Sequence, residues 1–517
     1  MINHSKLFSI RSAFYLVIIL LLSYFPNLES KEQRDVNIQL IEKISKAIDL
    51  GTENILKLQN ADGSFSRMKG GGAGGLHKGG SSTALCLYTI LSSRLPKNED
   101  LRKRILVAAD KGFDYMRQKH YIPGTTYANG ILLMALEKRI QYNRPKPEVG
   151  YSSKEKKSKV ELDLKWMEDI TAKIIATKCE KKIVSLPKFK NSSGDPVEIK
   201  LPKVKGKYKA EEKEHVLDFT GWSWGYPNSH GGFDHQDLSN TQYAVLGIAA
   251  AYRAGVKVDK EVFWKILHFG LYSQEPNGSR VTRYELDQKA VEKEKKQAAE
   301  QIERDRVREE RRIQSGRKES TRERTERLEK EKQREYEKNY DYVGVNKYRK
   351  NLKKAKVYDE ARGWDYCKKS NPTASGAAYG SMTTAGLACI LTAHMGLDGD
   401  ELYDGYYKEL VSQSIYDGIG WLGMTFSTTQ NPNASGRHQK WVYYYLYGME
   451  RVGMMAGLEH FGQVLWYNRG AEYLVSAQNN DGSWKEPYYE TCFAVLFLSR
   501  ATKPANFTKK KKYHISE

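Results

Sequence analysis

The segment between residues 218 and 240 (DFTGWSWGYPNSHGGFDHQDLSN) contains the densest group of potentially reactive side chains in this chain of 517 residues. Its glycines, asparagines and proline predict a loop that leads into a helix. His230, Asp234 and His235 could act as a general acid or base, or hold a metal ion. A packed loop without a chemical role accounts for these residues equally well. Three aromatic side chains suit stacking on sugar rings or on an isoprenoid chain: Trp222, Trp224 and Tyr226.

The end of the same segment carries helix-capping residues. Asp237 and Ser239 directly precede an apolar stretch that begins at about Asn240. Asp and Ser side chains accept hydrogen bonds from the free amides of a first helical turn. We therefore expect both residues to cap the helix that follows.

A second group of side chains recurs at helical spacing nearer the C-terminus. The spacing of Tyr443, Tyr447, Glu450 and Arg451 predicts that they share one helix face. If that face lines a cavity, Glu450 is a candidate catalytic residue, and the two tyrosines and Arg451 are candidate ligand-binding residues. The alternative is that Glu450 and Arg451 form buried pairs with neighbouring helices.

A third group has side chains that could bind zinc. Glu490 and Cys492 stand two residues apart, and His438 precedes them in the chain. Cys492 lies in apolar helical sequence, as do Cys86 and Cys389, and such cysteines are most often small core residues. The sequence therefore favours no metal site and identifies no cofactor. Cys179 and Cys367 could pair, but their spacing does not argue for it.

The helices that carry these groups must be held in place by the turns that join them, and one such turn is repeated in the sequence. Gln59–Phe65 (QNADGSF) returns almost unchanged as Gln478–Trp484 (QNNDGSW), and looser copies are Gln274–Ser279 and Gln413–Trp421. In this phrase Gln ends one helix, Asp-Gly makes the turn, and the aromatic residue packs back on the hairpin. Copies between apolar helical segments predict a helical-hairpin repeat protein.

About six hairpins can be laid out, each pairing an outer helix with an inner helix rich in Ala, Gly, Thr and Leu. That number suffices for an all-α fold in which a ring of inner helices closes within an outer ring, an α/α toroid. The predicted pairs are residues 38–58 with 82–94, 101–118 with 126–139, 162–178 with 240–254, 260–273 with 382–394, 401–413 with 440–457, and 463–477 with 490–500.

The predicted organisation has five parts. An N-terminal signal or anchor covers residues 1–30, toroid segments cover 31–284 and 359–502, and a basic tail covers 503–517. Between the toroid segments, residues 285–358 are too poor in apolar side chains to form a core. This insertion is either a projecting charged helix or disordered, and a coiled-coil role is weak without apolar heptads. The repeat is expected to resume at Gly363-Trp364.

The N-terminus and the net charge constrain location and partners. Lys6 and Arg11 precede the apolar run Ala13–Phe25, which fits a secretory signal, with an uncleaved membrane anchor as the competing interpretation. Either one places the body outside the cytoplasm. The net charge of +21 comes without a nucleic-acid-binding motif, so nucleic acid is not an expected partner. Contact of the basic segments with anionic lipid or with an acidic glycan stays open.

The turn phrase, the small-residue helices and the six hairpins resemble the prenyltransferase and squalene-oxidase repeat superfamily over most of residues 38–500, apart from the insertion. The phrases WSWGY, DLSNTQYA, GSMTTAG and YLYGMERV resemble an uncharacterised branch of exported bacterial proteins. The resemblance implies an α/α toroid with a ligand cavity, and an isoprenoid or other apolar ligand in it.

This sequence does not match the active-site motifs of that superfamily. The Asp-x-Asp-Asp acid of squalene–hopene cyclases is absent, and the nearest string, Asp398–Glu401, is expected in a solvated turn. The zinc set of protein prenyltransferases would require Asp where Glu490 stands and a His after Cys492. Three functions therefore stay open: a toroid that binds an isoprenoid or a glycan, an enzyme of terpenoid-cyclase, transferase, polysaccharide-lyase or hydrolase type, and a scaffold that recruits a partner through the insertion.

Overall fold

The computed structural model describes residues 26–65, 80–93, 98–143, 154–183, 189–190, 196–197, 217–221, 236–325, 327–328, 352–366 and 377–502. The described chain is mainly helical, which confirms the all-α prediction. It divides into two compact units, Met1–Lys46 with Lys293–Lys347, and Ala47–Glu292 with Tyr348–Glu517. Among the described residues, no helix combines the length and the apolar character needed to span a bilayer.

In the described part of the chain, helices of two kinds alternate in the order of the six predicted hairpins. The first helix of each predicted hairpin is α1 (Pro26–Leu56), α3 (Glu99–Lys119), α5 (Lys154–Ala176), α7 (Lys260–Ser273), α10 (Lys408–Met424) or α12 (Trp466–Ala477). The second helix is α2 (Ser81–Ser92), α4 (Thr126–Asn143), α6 (Leu238–Ala254), α9 (Gly380–Leu397), α11 (Val442–Ala456) or α13 (Tyr488–Leu498). The remaining long helix, α8 (Gln288–Gln314), lies in the charged insertion.

The second helices are buried on nearly all sides, which their composition predicts. All twelve residues of α2 are buried, and α9 and α13 are buried almost throughout. Small residues allow this close packing: a Cβ atom at Gly130 in α4 would collide with the carbonyl oxygen of Tyr243 in α6. Close packing of this kind outweighs the low helix propensity of glycine.

The second helices contact each other in cyclic order. Helix α2 contacts α4, α4 contacts α6, α6 contacts α9, α9 contacts α11, α11 contacts α13, and α13 contacts α2. The N-terminal ends of α2 and α4 lie side by side, because the hydroxyl of Ser81 is 3.4 Å from that of Thr125. Those of α6 and α11 also meet, because the hydroxyl of Ser239 is 3.0 Å from that of Tyr444.

The repeated turn links successive first helices. The Nε2 of Gln59 donates to the carbonyl oxygens of Gly63, at 3.1 Å, and Ala108 of α3, at 2.8 Å. The Nε2 of Gln478 does the same to Gly482, at 3.0 Å, and Ala47 of α1, at 2.9 Å. The glycines Gly63 and Gly482 have φ of +89° and +86°, which the turn requires of them. Gln478 thus joins the sixth hairpin to the first.

A third copy of this turn contains the insertion. Gln274 donates to the carbonyl oxygens of Arg362, at 3.1 Å, and Ser414 of α10, at 3.0 Å. Trp364 takes the aromatic position and forms an isolated bridge with Gln274, as Phe65 does with Gln59. The prediction that the repeat resumes at Gly363-Trp364 is therefore confirmed.

The other predicted copy of the turn, Gln413–Trp421, is wrong, since this segment lies inside α10. Asp417 is buried there and accepts a 2.8 Å hydrogen bond from Nε of Arg362, and Gly418 packs against Leu387. The sequence of this segment resembles that of the turn, but its tertiary contacts stabilise it as a helix.

The insertion begins and ends on an antiparallel strand pair. Strands β5 (Ser279–Leu286) and β6 (Leu352–Ala361) pair from Ser279 with Ala361 to Leu286 with Leu352. Helix α8 follows β5 and carries Arg–Glu pairs at helical spacing, such as Arg312 with Glu309 at 2.6 Å. Helix α8 in the insertion is therefore charged, one of the two predicted forms, whereas the predicted ends of the insertion, residues 285–286 and 352–358, belong to the strands.

Shorter strands connect the third hairpin. Strand β1 (Cys179–Ile183) pairs with β4 (Leu217–Gly221), and β2 (Phe189–Lys190) pairs with β3 (Pro196–Val197), both antiparallel. These strands were not predicted, because the Lys-rich sequence around them lacks the alternation of apolar and polar residues that is typical of strands. The predicted signal segment Ala13–Phe25 lies outside the described residues.

Candidate functional site

Hydrogen-bonded side chains connect the N-terminal turns of three second helices. Ser239 of α6 contacts the hydroxyl of Tyr127 of α4 and lies 3.0 Å from the hydroxyl of Tyr444 of α11. Gln242, one turn further along α6, donates its Nε2 to the same Tyr444 hydroxyl. The four side chains form one continuous polar network.

Two aromatic side chains extend this network to α13. The indole of Trp441 lies edge-on to Tyr444, with ring centroids 6.2 Å apart, and stacks on Tyr489, with centroids 5.4 Å apart. Trp441 is partly exposed, and the exposed Lys440 places its Nζ 5.3 Å from the indole centroid. We call five of these side chains the N-terminal cluster: Tyr127, Ser239, Trp441, Tyr444 and Tyr489.

The network continues inward to Arg451. The Nη2 of Arg451 donates to Oε1 of Gln242 at 2.9 Å, and its guanidinium lies 4.5 Å from the ring centroid of Tyr447. Tyr447 in turn donates to the hydroxyl of Tyr88 in α2 at 3.1 Å. Polar contacts therefore run from the N-terminal cluster to the middle of the second helices.

Burial keeps the tyrosines of this network neutral. It raises the pKa of Tyr127 and Tyr447 well above the ordinary value, and it raises the pKa of Tyr444 and Tyr88 as well. A neutral phenol donates and accepts hydrogen bonds but does not serve as a base near neutral pH. The network can therefore bind and orient polar groups.

Glu450 and Arg451 do not pair with each other. Glu450 accepts hydrogen bonds from Thr502, at 3.0 Å from its backbone nitrogen and 2.8 Å from its hydroxyl. Burial raises the pKa of Glu450 to about 7, although these hydrogen bonds oppose the shift. Both residues are buried, as the structural alternative predicts, but their observed partners Thr502 and Gln242 are neutral.

Tyr443 lies apart from Tyr447 and Arg451. Its ring packs against Tyr473 of α12, with centroids 6.3 Å apart, near Glu490. Burial raises the pKa of Glu490 to about 8. Residues four apart differ by about 40° in direction on a helix, which is enough here to turn Tyr443 towards a first helix and Tyr447 towards α2.

The weak zinc candidates also lie apart. Cys492 is fully buried with its Sγ 4.0 Å from the Sγ of Cys86, so both are core residues as predicted, and Cys389 is buried too. His438 packs between Tyr366 and Tyr379 at 5.7 and 5.3 Å between ring centroids. No group of three or more His, Cys, Asp and Glu side chains that could hold a metal is present in the described part of the chain.

Residues 218–221 of the predicted reactive loop belong to strand β4. Residues 222–235 of this loop lie outside the described residues, with its three reactive side chains His230, Asp234 and His235. The same holds for its aromatic side chains Trp222, Trp224 and Tyr226. The described chain resumes at Gln236, and Asp237 caps α6 by accepting a 2.7 Å hydrogen bond from the amide of Asn240, as predicted. Ser239 instead contacts Tyr127 and Tyr444, so its capping role is wrong.

Sequence reasoning missed the central members of the site. Tyr127, Gln242 and Lys440-Trp441 were not singled out, although Lys440-Trp441 opens the predicted inner helix 440–457. The available signal was a Lys-Trp pair at the start of a mostly apolar helix. Comparison of the chain with protein-family models, with curated proteins and with solved structures gives no match.

Proposed function

We propose that the hairpins form an α/α toroid, with the second helices as its inner ring, and that it binds an acidic glycan at the N-terminal cluster. One observation carries the choice of ligand: the partly exposed Trp441 lies beside the exposed ammonium of Lys440. An indole offers an apolar face to the C–H groups of a sugar ring, and an ammonium pairs with a uronate carboxylate.

Two contacts support the toroid. The cyclic series of second-helix contacts ends where α13 meets α2, and Gln478 of α12 donates to the carbonyl of Ala47 in α1. The first and last hairpins therefore meet in both sets of helices. This arrangement agrees with the resemblance to the prenyltransferase and squalene-oxidase repeats.

The hydroxyl groups of the cluster favour a polar ligand. Ser239 and Tyr444 are buried and bond to each other, and Ser239 also bonds to Tyr127; hydroxyl groups of these neutral kinds match those of a glycan. The net charge of +21 favours an acidic glycan over a neutral one.

An isoprenoid is the second candidate ligand, because the resemblance implies it and Trp441 and Tyr489 offer stacked aromatic surface. The interior argues for the glycan. Tyr447 and Tyr88 meet between the second helices, and the cavity beside them has a volume of about 20 Å³. Sites for molecules of isoprenoid size occupy hundreds of Å³, so this cavity is too small for an isoprenoid.

The proposal is for binding, outside the cytoplasm. Glu450 is held by Thr502, and the tyrosines of the network are neutral. A lyase- or hydrolase-like activity would draw on His230, Asp234 and His235. The signal-like N-terminus supports export to the cell envelope or beyond, where acidic glycans are found.

Native mass spectrometry of the full chain purified from its own cell envelope tests the proposal. We expect a bound species that releases uronic acid on acid hydrolysis. A bound isoprenoid would instead identify the second candidate as the ligand. Protein that carries neither, and gains no mass when an acidic oligosaccharide is added, would contradict the proposal.

A further inference from the structure

A small cavity lies towards the C-terminal ends of the second helices, away from the N-terminal cluster. Its walls come from α2, α4, α6, α11 and the residues that follow α13. Its volume of about 20 Å³ is room for one water-sized particle. The described side chains that line it include three cations, Lys138, Arg253 and Arg451, and one carboxylate, Glu137.

Arg451 is the cation whose donors are incompletely used. Its side chain is 1% exposed, its Nη2 donates to Oε1 of Gln242, and its guanidinium lies over the rings of Tyr447 and Tyr243. Among the described residues, the buried Nε and Nη1 atoms have no hydrogen-bond partner. Because a buried cation and its N–H groups are costly to leave without an acceptor, this arrangement points to a ligand that supplies one.

The nearby carboxylates are held by other groups. Glu137 receives two hydrogen bonds from Arg253, at 2.9 and 2.7 Å. Glu450 receives two from Thr502. Glu450 interacts electrostatically with Arg451 and Lys138, but among the described residues it forms no ion pair with Arg451.

We propose that this cavity binds one small monovalent anion, chloride, through the Nε and Nη1 donors of Arg451. Lys138 adds positive charge on the wall. Tyr447 donates to the hydroxyl of Tyr88, which leaves the Tyr88 hydrogen to donate to the anion. The small volume favours a monatomic anion over phosphate or a carboxylate ligand, and the two buried donors of Arg451 favour an acceptor. This inference does not rest on the proposed glycan site.

Two measurements on the full chain test the site. Crystals soaked in sodium bromide would locate the anion by its anomalous signal. Thermal unfolding in sodium chloride is compared with unfolding in sodium gluconate at equal ionic strength. The variants are Arg451→Met and Lys138→Met, and the matched control is Lys111→Met, which removes an exposed lysine from α3.

We expect a bromide peak in contact with Arg451. Chloride should raise the Tm of the wild type and of Lys111→Met by several degrees relative to gluconate. The rise should vanish in Arg451→Met and fall by at least half in Lys138→Met. If Arg451→Met does not fold, the bromide map and the chloride-dependent Tm of Lys138→Met test the proposal without it. A water without anomalous signal in the cavity, or an equal chloride effect in Lys138→Met and Lys111→Met, would overturn the proposal.

Discussion

Gln274 and Trp364 form one turn although the whole charged insertion stands between them in the chain. They make the isolated bridge that Gln59 and Phe65 make within a single short phrase. The amide of Trp364 donates to the hydroxyl of Thr383 at 3.2 Å, just as the amide of Phe65 donates to that of Thr83 at 3.1 Å. The repeat geometry is therefore complete without the insertion.

Removal of the insertion should leave the hairpin repeat folded. In the variant, residues 287–351 are replaced by Asn-Gly, so that the paired Leu286 and Leu352 flank the two-residue turn that Asn-Gly favours. Strands β5 and β6 keep their pairing from Ser279 to Leu286. We expect helical circular dichroism with one cooperative thermal transition within a few degrees of that of the full chain.

A broad, non-cooperative transition in this deletion variant would mean that the repeat depends on the insertion. A scaffold role is tested by the same protein. If glycan binding survives and an envelope partner is lost, the insertion recruits that partner.

Gln478→Leu should lower the free energy of unfolding by about 1–3 kcal/mol. The change removes two hydrogen bonds, from Nε2 to the carbonyl oxygens of Ala47 and Gly482, and each such bond contributes about 0.5–1.5 kcal/mol. Urea unfolding measures the effect. The control Asn479→Ala removes an exposed hydrogen bond to Ser483 from the same turn and should cost under about 0.5 kcal/mol. Equal losses in the two variants would contradict the role of Gln478 as a link between hairpins.

The repeated turn was readable from the sequence because its residues are local. Gln59 and Gln478 stand beside the Asp-Gly pairs that identify them. Gln413 carries similar letters but lies inside α10, since Asp417 is paired with Arg362 from beyond the insertion. That contact joins distant parts of the chain, and a local phrase cannot reveal it.

The site was harder to predict than the fold, because its contacts also join distant parts of the chain. Helical spacing predicted that Tyr443 and Arg451 share a face, yet Tyr443 meets α12 and Arg451 meets α6. The partners Gln242 and Thr502 come from other parts of the chain, so the sequence around Glu450-Arg451 does not identify them. Burial of the pair was predictable, but its neutral partners were not.

Glu490 should make stability fall as the pH rises. Its pKa is about 8 in the folded protein, because burial disfavours the charged form, against an ordinary value of 4.5. Between these values the folded state holds a proton that the unfolded state has lost. The stability from this group is therefore complete below about pH 4.5 and is lost as the pH rises through about 8, by at most about 1.4 kcal/mol per pH unit.

Urea unfolding of Glu490→Gln at pH 5 and pH 8 checks this dependence. The amide cannot ionise, so we expect the variant to gain stability over the wild type as the pH increases. The exposed Glu409→Gln on α10 is the control and should run parallel to the wild type. A constant difference between Glu490→Gln and the wild type at both pH values would rule out the buried carboxylate as the cause.

The thiols of Cys86 and Cys492 should be unreactive in the native protein. Both are fully buried with their Sγ atoms 4.0 Å apart, and burial raises the pKa of Cys86 well above the ordinary value. In a Cys179→Ser, Cys367→Ser background, a thiol-specific reagent should label no cysteine until urea is added. It should then label Cys86, Cys389 and Cys492. Labelling of Cys389 alone after unfolding would show that the other two form a disulfide.

The most direct test of the glycan site is calorimetric titration with a galacturonic acid tetramer, with maltotetraose as the neutral control sugar. The wild type should bind the acidic tetramer, and Trp441→Ala should weaken binding at least tenfold. The control Tyr252→Ala removes an exposed aromatic ring from the C-terminal end of α6 and should bind as the wild type does. Equal affinity in Trp441→Ala and Tyr252→Ala, or no heat with the acidic tetramer, would contradict the account.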